Sequence, residues 1–463
     1  LNLLGDQMVT DIETTVATLD LTTAATSITE TDGVILGAST VSSTLNLVAG
    51  GTITGSGVLS ITGASTFDNS GVGAASDITL DNLNTFGGDV TITTHAGSDV
   101  SITDSGAFAI QAGLNVTDLI ITAGGAVTDA GDINIDGDLT VSASGQTVEL
   151  DGTGNAIDGA ISLTGTAVTL VDTGSTDIDL IGAGGTVNVT TGGATSLKGV
   201  SAAGQTVNLT LGGELTDGDA DASGADTTVN VTADTLNLLG DQMVTDIETT
   251  VATLDLTTAA TSITETDGIA LADSTVTGQL DLVTGGALTQ TGSINVTGVS
   301  SINASGSITL DLVNDFQGAV SLTNIGANDV TIDDANNLEF GTVSIAAGNL
   351  NVDIAGSIAQ SGVMSVGGNS VFDNVDGING AITLPNGSNV FTGTVTFTTD
   401  SGSDVSITDT TALDLVALTA NSLTVNAGGA LTDSGILAIS DLADLTGSTI
   451  TINDSFDAGM LTF

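Results

Sequence analysis

The sequence predicts an all-β fold, a parallel β-helix solenoid. Three observations carry that prediction: internal repeats at two periods, apolar/polar alternation with a period of two, and a near absence of proline and of large aromatics. The long repeat is the plainest. LNLLGDQMVTDIETTVATLDLTTAATSITETDG occupies Leu1 to Gly33 and returns letter for letter at Leu236 to Gly268. It continues in diverged form, VILGASTVSSTLNLVAGG from Val34 aligning with IALADSTVTGQLDLVTGG from Ile269, so the long period is the distance from Leu1 to Leu236. The chain of 463 residues thus divides into a module at 1–235 and a second at 236–463, read as one continuous rod without a linker.

A shorter period runs inside each module. AGGTITGSGVLSITGASTF at Ala49 is echoed at Ala123, Thr284, Ile354 and Ala427, with a degenerate copy at Leu211. NTFGGDVTITTHAGSDVSITD from Asn84 matches NDFQGAVSLTNIGANDVTIDD from Asn314 and NVFTGTVTFTTDSGSDVSITD from Asn389. The unit is about 75 residues, repeated about six times. Within it, DVTIT, DVSIT, DINID, DLTVS and TVNVT alternate apolar with small polar residues, as half-buried strands do. Val, Ile and Thr suit such strands, and the Gly, Asn, Asp and Ser between them suit tight corners. MVTDIETTVATLDL comes nearest to a helical pattern, but its threonines argue for strand.

Strand centres recur about every 10 residues, too densely for propeller blades with long connections. Only small aliphatics are available for the interior: aromatics are 2% of the chain, all of them Phe, and the one proline is Pro385. A narrow stacked coil that excludes bulky rings accounts for the missing Trp and Tyr. A string of separate β-sandwich domains of about 75 residues is the alternative, though it lacks proline-rich linkers and the aromatics sandwich cores use.

Charge and composition exclude several function classes. There are 55 Asp and Glu residues against one basic residue, Lys198, for a net charge of −54. Such a chain repels nucleic acid and anionic membranes. No apolar run approaches the roughly 18 residues of a spanning helix, so no membrane insertion is expected. Cysteine is absent, which removes disulfides and thiol chemistry. The chain starts inside a repeat with no signal peptide in view, and reads as a piece of a longer protein.

The recurring AGGALTDSG, the NxFxGxVxxT segments with DVSITD, and TSITETDG resemble the long repetitive exoproteins of Gram-negative bacteria, the filamentous-haemagglutinin-like giant adhesins. The resemblance spans essentially the whole chain and implies a right-handed β-helix, export to the bacterial cell surface, and a role in adhesion, biofilm or a surface coat.

A rod of about 23 coils stacked roughly 4.8 Å apart would be about 110 Å long. Its charge would then approach one per roughly 2 Å, near the one per about 1.7 Å of duplex DNA. Counterions are therefore expected, and Ca²⁺ is a candidate cofactor because it favours carboxylate and carbonyl oxygens; a saline habitat is the other way to screen the charge. DGDADASGAD offers the best local metal site, with Asp217, Asp219, Asp221 and Asp226 as candidate ligands. It is not an EF-hand, since Ala222 replaces the glycine at position six and Thr228 the glutamate at position twelve. A solvated acidic turn is the plainer reading. The pairs Asp99/Asp104, Asp329/Asp334 and Asp404/Asp409 are expected to bracket strands and cap turns.

No enzyme is expected. Lys198 stands in TSLKGV without a partner motif, His95 has Ile325 and Asp400 as its counterparts, and no Trp or Tyr is present to stack on a sugar. Among 55 acids, some pair at the about 5 to 9 Å spacing of a glycosidase arises by chance. Stacked Thr-x-Thr triplets could order ice, but TIT and TVT recur without constant phase. The expected function is structural: a secreted filament or coat segment whose partners are further copies of itself, end to end or side by side, and divalent cations, or else the rigid stalk of a large adhesin.

Overall fold

A computed structural model describes residues 1–71, 73–219, 228–375 and 379–463. Every regular element among the described residues is a β-strand, wound as a parallel solenoid of about 22 turns in all. The chain forms two compact units, Leu1–Leu236 and Asn237–Phe463.

In the first unit, one wall runs from Val100–Asp104 to Leu119–Ala123, Leu139–Ser142 and Ala160–Gly165. Val100 lies beside Leu119, Leu119 beside Leu139, and Leu139 beside Ile161, so one turn of the coil separates each residue from its partner. The period of two now has its physical meaning. Ile102, Ile121, Val141 and Leu163 stack inward and are buried, while their neighbours Ser101, Ile120, Thr140 and Ser162 face outward. The second unit repeats the pattern with Ile263, Leu282, Ile302 and Leu322 in one buried column. β-Branched residues suit these columns because each packs against like neighbours one coil away.

The identical tracts fold alike in their register shifts and backbone. Val9–Thr14 and Val244–Thr250 both carry a register shift before their isoleucine, Ile12 or Ile247. Both place an aspartate, Asp11 or Asp246, at positive φ, 54° and 58°, a conformation Asp tolerates better than most residues. The strand expected within MVTDIETTVATLDL is present in both copies.

The recurring AGG corner reflects close approach between turns. A Cβ at Gly124 would collide with the Ser105 carbonyl oxygen, and one at Gly428 with that of Thr410, so neither position admits a side chain.

The interior is not too narrow for rings, contrary to expectation. Eight of the ten phenylalanines are buried: Phe67, Phe86, Phe108, Phe316, Phe340, Phe372, Phe391 and Phe397. Phe372 stacks on Phe397 one coil away at 5.6 Å between centroids and 20° between planes. A ring the size of phenylalanine is therefore no obstacle to this core.

Truncation tests this core. Phe372→Ala should destabilise the second unit by about 3–5 kcal/mol in denaturant unfolding, while Val371→Ala, half-exposed on the same strand, should cost less than about 1 kcal/mol.

Candidate functional site

The most repeated polar constellation lies inside the coils. The asparagine of each NxF segment is buried and accepts a backbone N–H from the preceding coil. Asn84 Oδ1 takes that of Leu59 at 2.9 Å, Asn314 that of Ile294 at 3.0 Å, and Asn389 that of Met364 at 2.9 Å. The aspartate that closes the following DVSITD strand completes the clasp. Asp104 accepts the N–H of Phe86 at 3.3 Å, Asp334 that of Phe316 at 2.7 Å, and Asp409 that of Phe391 at 3.1 Å. Each also caps its own turn, through the N–H of Gly106, Asn336 or Thr411. Asn155 and Asp172 make the same pair of bonds to Ile133 and Ile157, with isoleucine where the motif has phenylalanine. The duplicated tracts use a buried glutamate instead: Glu30 accepts the N–H of Val16 at 2.9 Å and Glu265 that of Val251 at 3.0 Å.

A second system runs along the outer corners. Asp77 Oδ1 accepts the N–H of Asp99, Asp99 that of Asp118, Asp118 that of Asp138, and Asp138 that of Ala160, at 2.8 to 3.2 Å. The counterpart in the second unit passes from Asp329 to Asn349, Asn369 and Thr394 at 2.9 to 3.0 Å. The aspartates that bracket strands therefore divide the work. The first, Asp99 or Asp329, supports the next coil, and the second, Asp104 or Asp334, caps its own turn and holds the previous one. Asp404 follows a variant of this, accepting from Ser422 and Asn421, which holds its carboxyl below the usual range.

Asp217 and Asp219, half-buried, converge on Asn230, whose amide donates to Asp217 Oδ1 at 2.8 Å and Asp219 Oδ1 at 3.1 Å. The Asp219 N–H also donates to Asp217 Oδ1, at 3.1 Å. The other two candidate ligands, Asp221 and Asp226, lie outside the described residues. Lys198 Nζ stands 3.2 Å from Asp179 and 4.0 Å from Asp177. The Asp179 hydrogen bond, then the charge of Asp177, raises its pKa and keeps it cationic. His95 Nδ1 lies 2.7 Å from the Ala96 carbonyl oxygen.

One feature escaped sequence reasoning. Asp333, Asp353 and Asp373 fall in register on adjacent coils of the second unit, and with Asp311 they line a shallow groove of about 310 Å³. Partial burial, then the charges of Asp353 and Asp311, pushes the Asp333 carboxyl up to about 6. Burial, outweighing the N–H groups of Phe316 and Asn336, pushes Asp334 up to about 6 as well. The equal spacing of Asp333, Asp353 and Asp373 along the chain, one coil at each step, was the signal that could have revealed the row. A row of carboxylates at this spacing can hold protons or attract cations.

Five segments of the chain, 23–93, 97–164, 257–323, 327–398 and 402–457, match one family model, described as repeats of unknown function (DUF5649). No curated protein and no solved structure matches the chain.

Two outcomes test this arrangement. Asn389→Ala leaves the buried Met364 N–H without its acceptor and should cost about 1–3 kcal/mol in denaturant unfolding. Asp333 and Asp334 have folded pKa values above the unfolded value of about 3.9, so the native state holds more protons between the two and stability rises as pH falls through that window. Urea midpoints at about pH 5 and about pH 7.5 should show the rise, and Asp333→Asn should flatten it, chiefly by raising the midpoint at the higher pH.

Proposed function

This chain belongs to the family of repeats of unknown function, DUF5649, and on that premise we propose that it serves as a structural segment of a secreted bacterial surface filament or coat. The observation that carries the reading is the use made of its polar residues. The motif residues that recur most faithfully, the Asn of NxF and the Asp of DVSITD, are buried and bind the backbone of adjacent coils. A sequence that repeats its coil-joining residues, and lengthens itself by duplicating the tract Leu1 to Gly33 unchanged, is organised around extension.

The likeness of AGGALTDSG and DVSITD to giant bacterial exoproteins supports export and a place at the cell surface. We assign no catalytic role. The partners in this reading are further copies of the chain, drawn together by divalent cations. The in-register row of Asp333, Asp353 and Asp373 supports that choice, because hard oxygen ligands repeated at coil spacing attract such ions. Asp217 and Asp219, in the first unit, are secondary candidates.

Negative-stain microscopy of the purified chain, with millimolar Ca²⁺ and with EGTA, tests the proposal. Fibres or sheets that form in Ca²⁺ and disperse in EGTA are expected. Single particles in both conditions would sink self-assembly and leave the rigid stalk of an adhesin as the function.

A further inference from the structure

One level of the first unit is built differently from the coils around it. Strand Val90–Thr93 closes a five-stranded sheet and pairs with Ser65–Asp68 on one edge only. No described strand pairs with its other edge. In the following coil, Phe108–Ile110 pairs forward with Val127–Asp129 and has no described strand partner behind it. Among the described strands, backbone pairing crosses this level along a single wall, between Ile78–Phe86 and Val100–Asp104. Elsewhere the Thr117 N–H donates to the Ser98 carbonyl at 2.9 Å, and side chains make the other bridges. Asp104 Oδ1 accepts the Phe86 N–H, and Gln111 stands in for the missing strand at Ile92: its Oε1 accepts the N–H at 2.5 Å and its Nε2 donates to the carbonyl at 2.7 Å. Between the two coils lies a cavity of about 190 Å³, lined by Phe86, Gly88, Val90, Asp104, Ala107 and Phe108.

The second unit supplies the comparison. Val320–Asn324 occupies the same place after its NxF segment, yet pairs on both edges, with Ser300–Ala304 and with Leu338–Ile345. Thr394–Thr398 is intermediate, paired fully with Ser370–Asp373 but through only two residues with Leu413–Leu415. Cavities of about 320 and 420 Å³ lie between it and the coils that follow. These three strands also end three of the repeat segments, at residues 93, 323 and 398. The looseness is thus a graded property of one position in the repeat.

We propose that the level between Val90–Thr93 and the coil of Phe108–Ile110 is an opening seam, at which the first unit separates into two cooperative blocks while each block stays folded. In a stacked coil each turn is held mainly by its neighbours, so stability is a sum of interface terms and opening occurs at the weakest. Here one ladder, the Thr117–Ser98 bond and a few side-chain bridges stand in place of the strand ladders found on either side. The seam would let the first unit yield at a repeat boundary and close again, without unwinding its coils.

Native-state hydrogen exchange on the full chain, read by mass spectrometry of peptic fragments, tests this. Amides of 90–93 should exchange roughly tenfold or more faster than those of 320–324. Gln111→Ala removes two hydrogen bonds and should speed exchange at 90–93 by a further roughly tenfold, leaving 320–324 unchanged. Gln111→Glu keeps the acceptor for the Ile92 N–H and loses the donor, so it should fall between. Equal protection of the two strands in the unmodified protein would overturn the seam, and that comparison needs no variant to fold. Unaltered exchange at 90–93 in Gln111→Ala would overturn the role given to Gln111 and the seam with it.

Discussion

The structure depends on one constraint: a coil must turn corners, and each corner takes backbone N–H groups out of the strand ladders. Buried N–H groups need acceptors. In this chain side-chain carboxamides and carboxylates supply them, one coil to the next. Asn314 holds Ile294, Asp334 holds Phe316, and Glu265 holds Val251. The strands between corners need only alternate apolar and polar residues to stack. The corners are where the sequence has to be specific.

This changes the meaning of the acidity. A charge of −54 on 463 residues suggests a surface devoted to counterions. Many of those carboxylates have an intramolecular task, however. The series Asp77, Asp99, Asp118 and Asp138 carries backbone N–H groups along one edge, and Asn349 and Asn369 do the same work without charge. Asp is thus one of two short acceptors used at these corners, and part of the charge follows from that use. Where acids also fall in register, as at Asp333 and Asp353, partial burial and mutual repulsion raise the pKa. Such rows are the places where protons or cations bear on stability and association.

The fold was legible because its signals are periodic. Apolar alternation in DVSITD located the buried Ile102 and Ile407, and the repeats located successive coils. The side-chain clasps were not legible. Asn84 and Asp104 stand a full coil apart, and nothing in either motif announces that one secures Leu59 and the other Phe86. The carboxylate row was hidden for the same reason, since register between coils is a property of turn length and bulges such as that between Leu310 and Asn314. Phenylalanine misled in the other direction: scarce rings suggested a core too small for them, whereas the core buries eight of the ten.

The buried acids of this fold accept backbone N–H groups of adjacent coils, and we infer that these bonds, rather than cations, secure it. Far-UV circular dichroism through a thermal melt, in moderate salt with and without excess EGTA, separates the two. The same strand signal and a midpoint within a few degrees are expected in both conditions, because every clasp is internal. Loss of the strand signal on adding EGTA, with recovery in Ca²⁺, would contradict this and make the solenoid a metal-dependent fold.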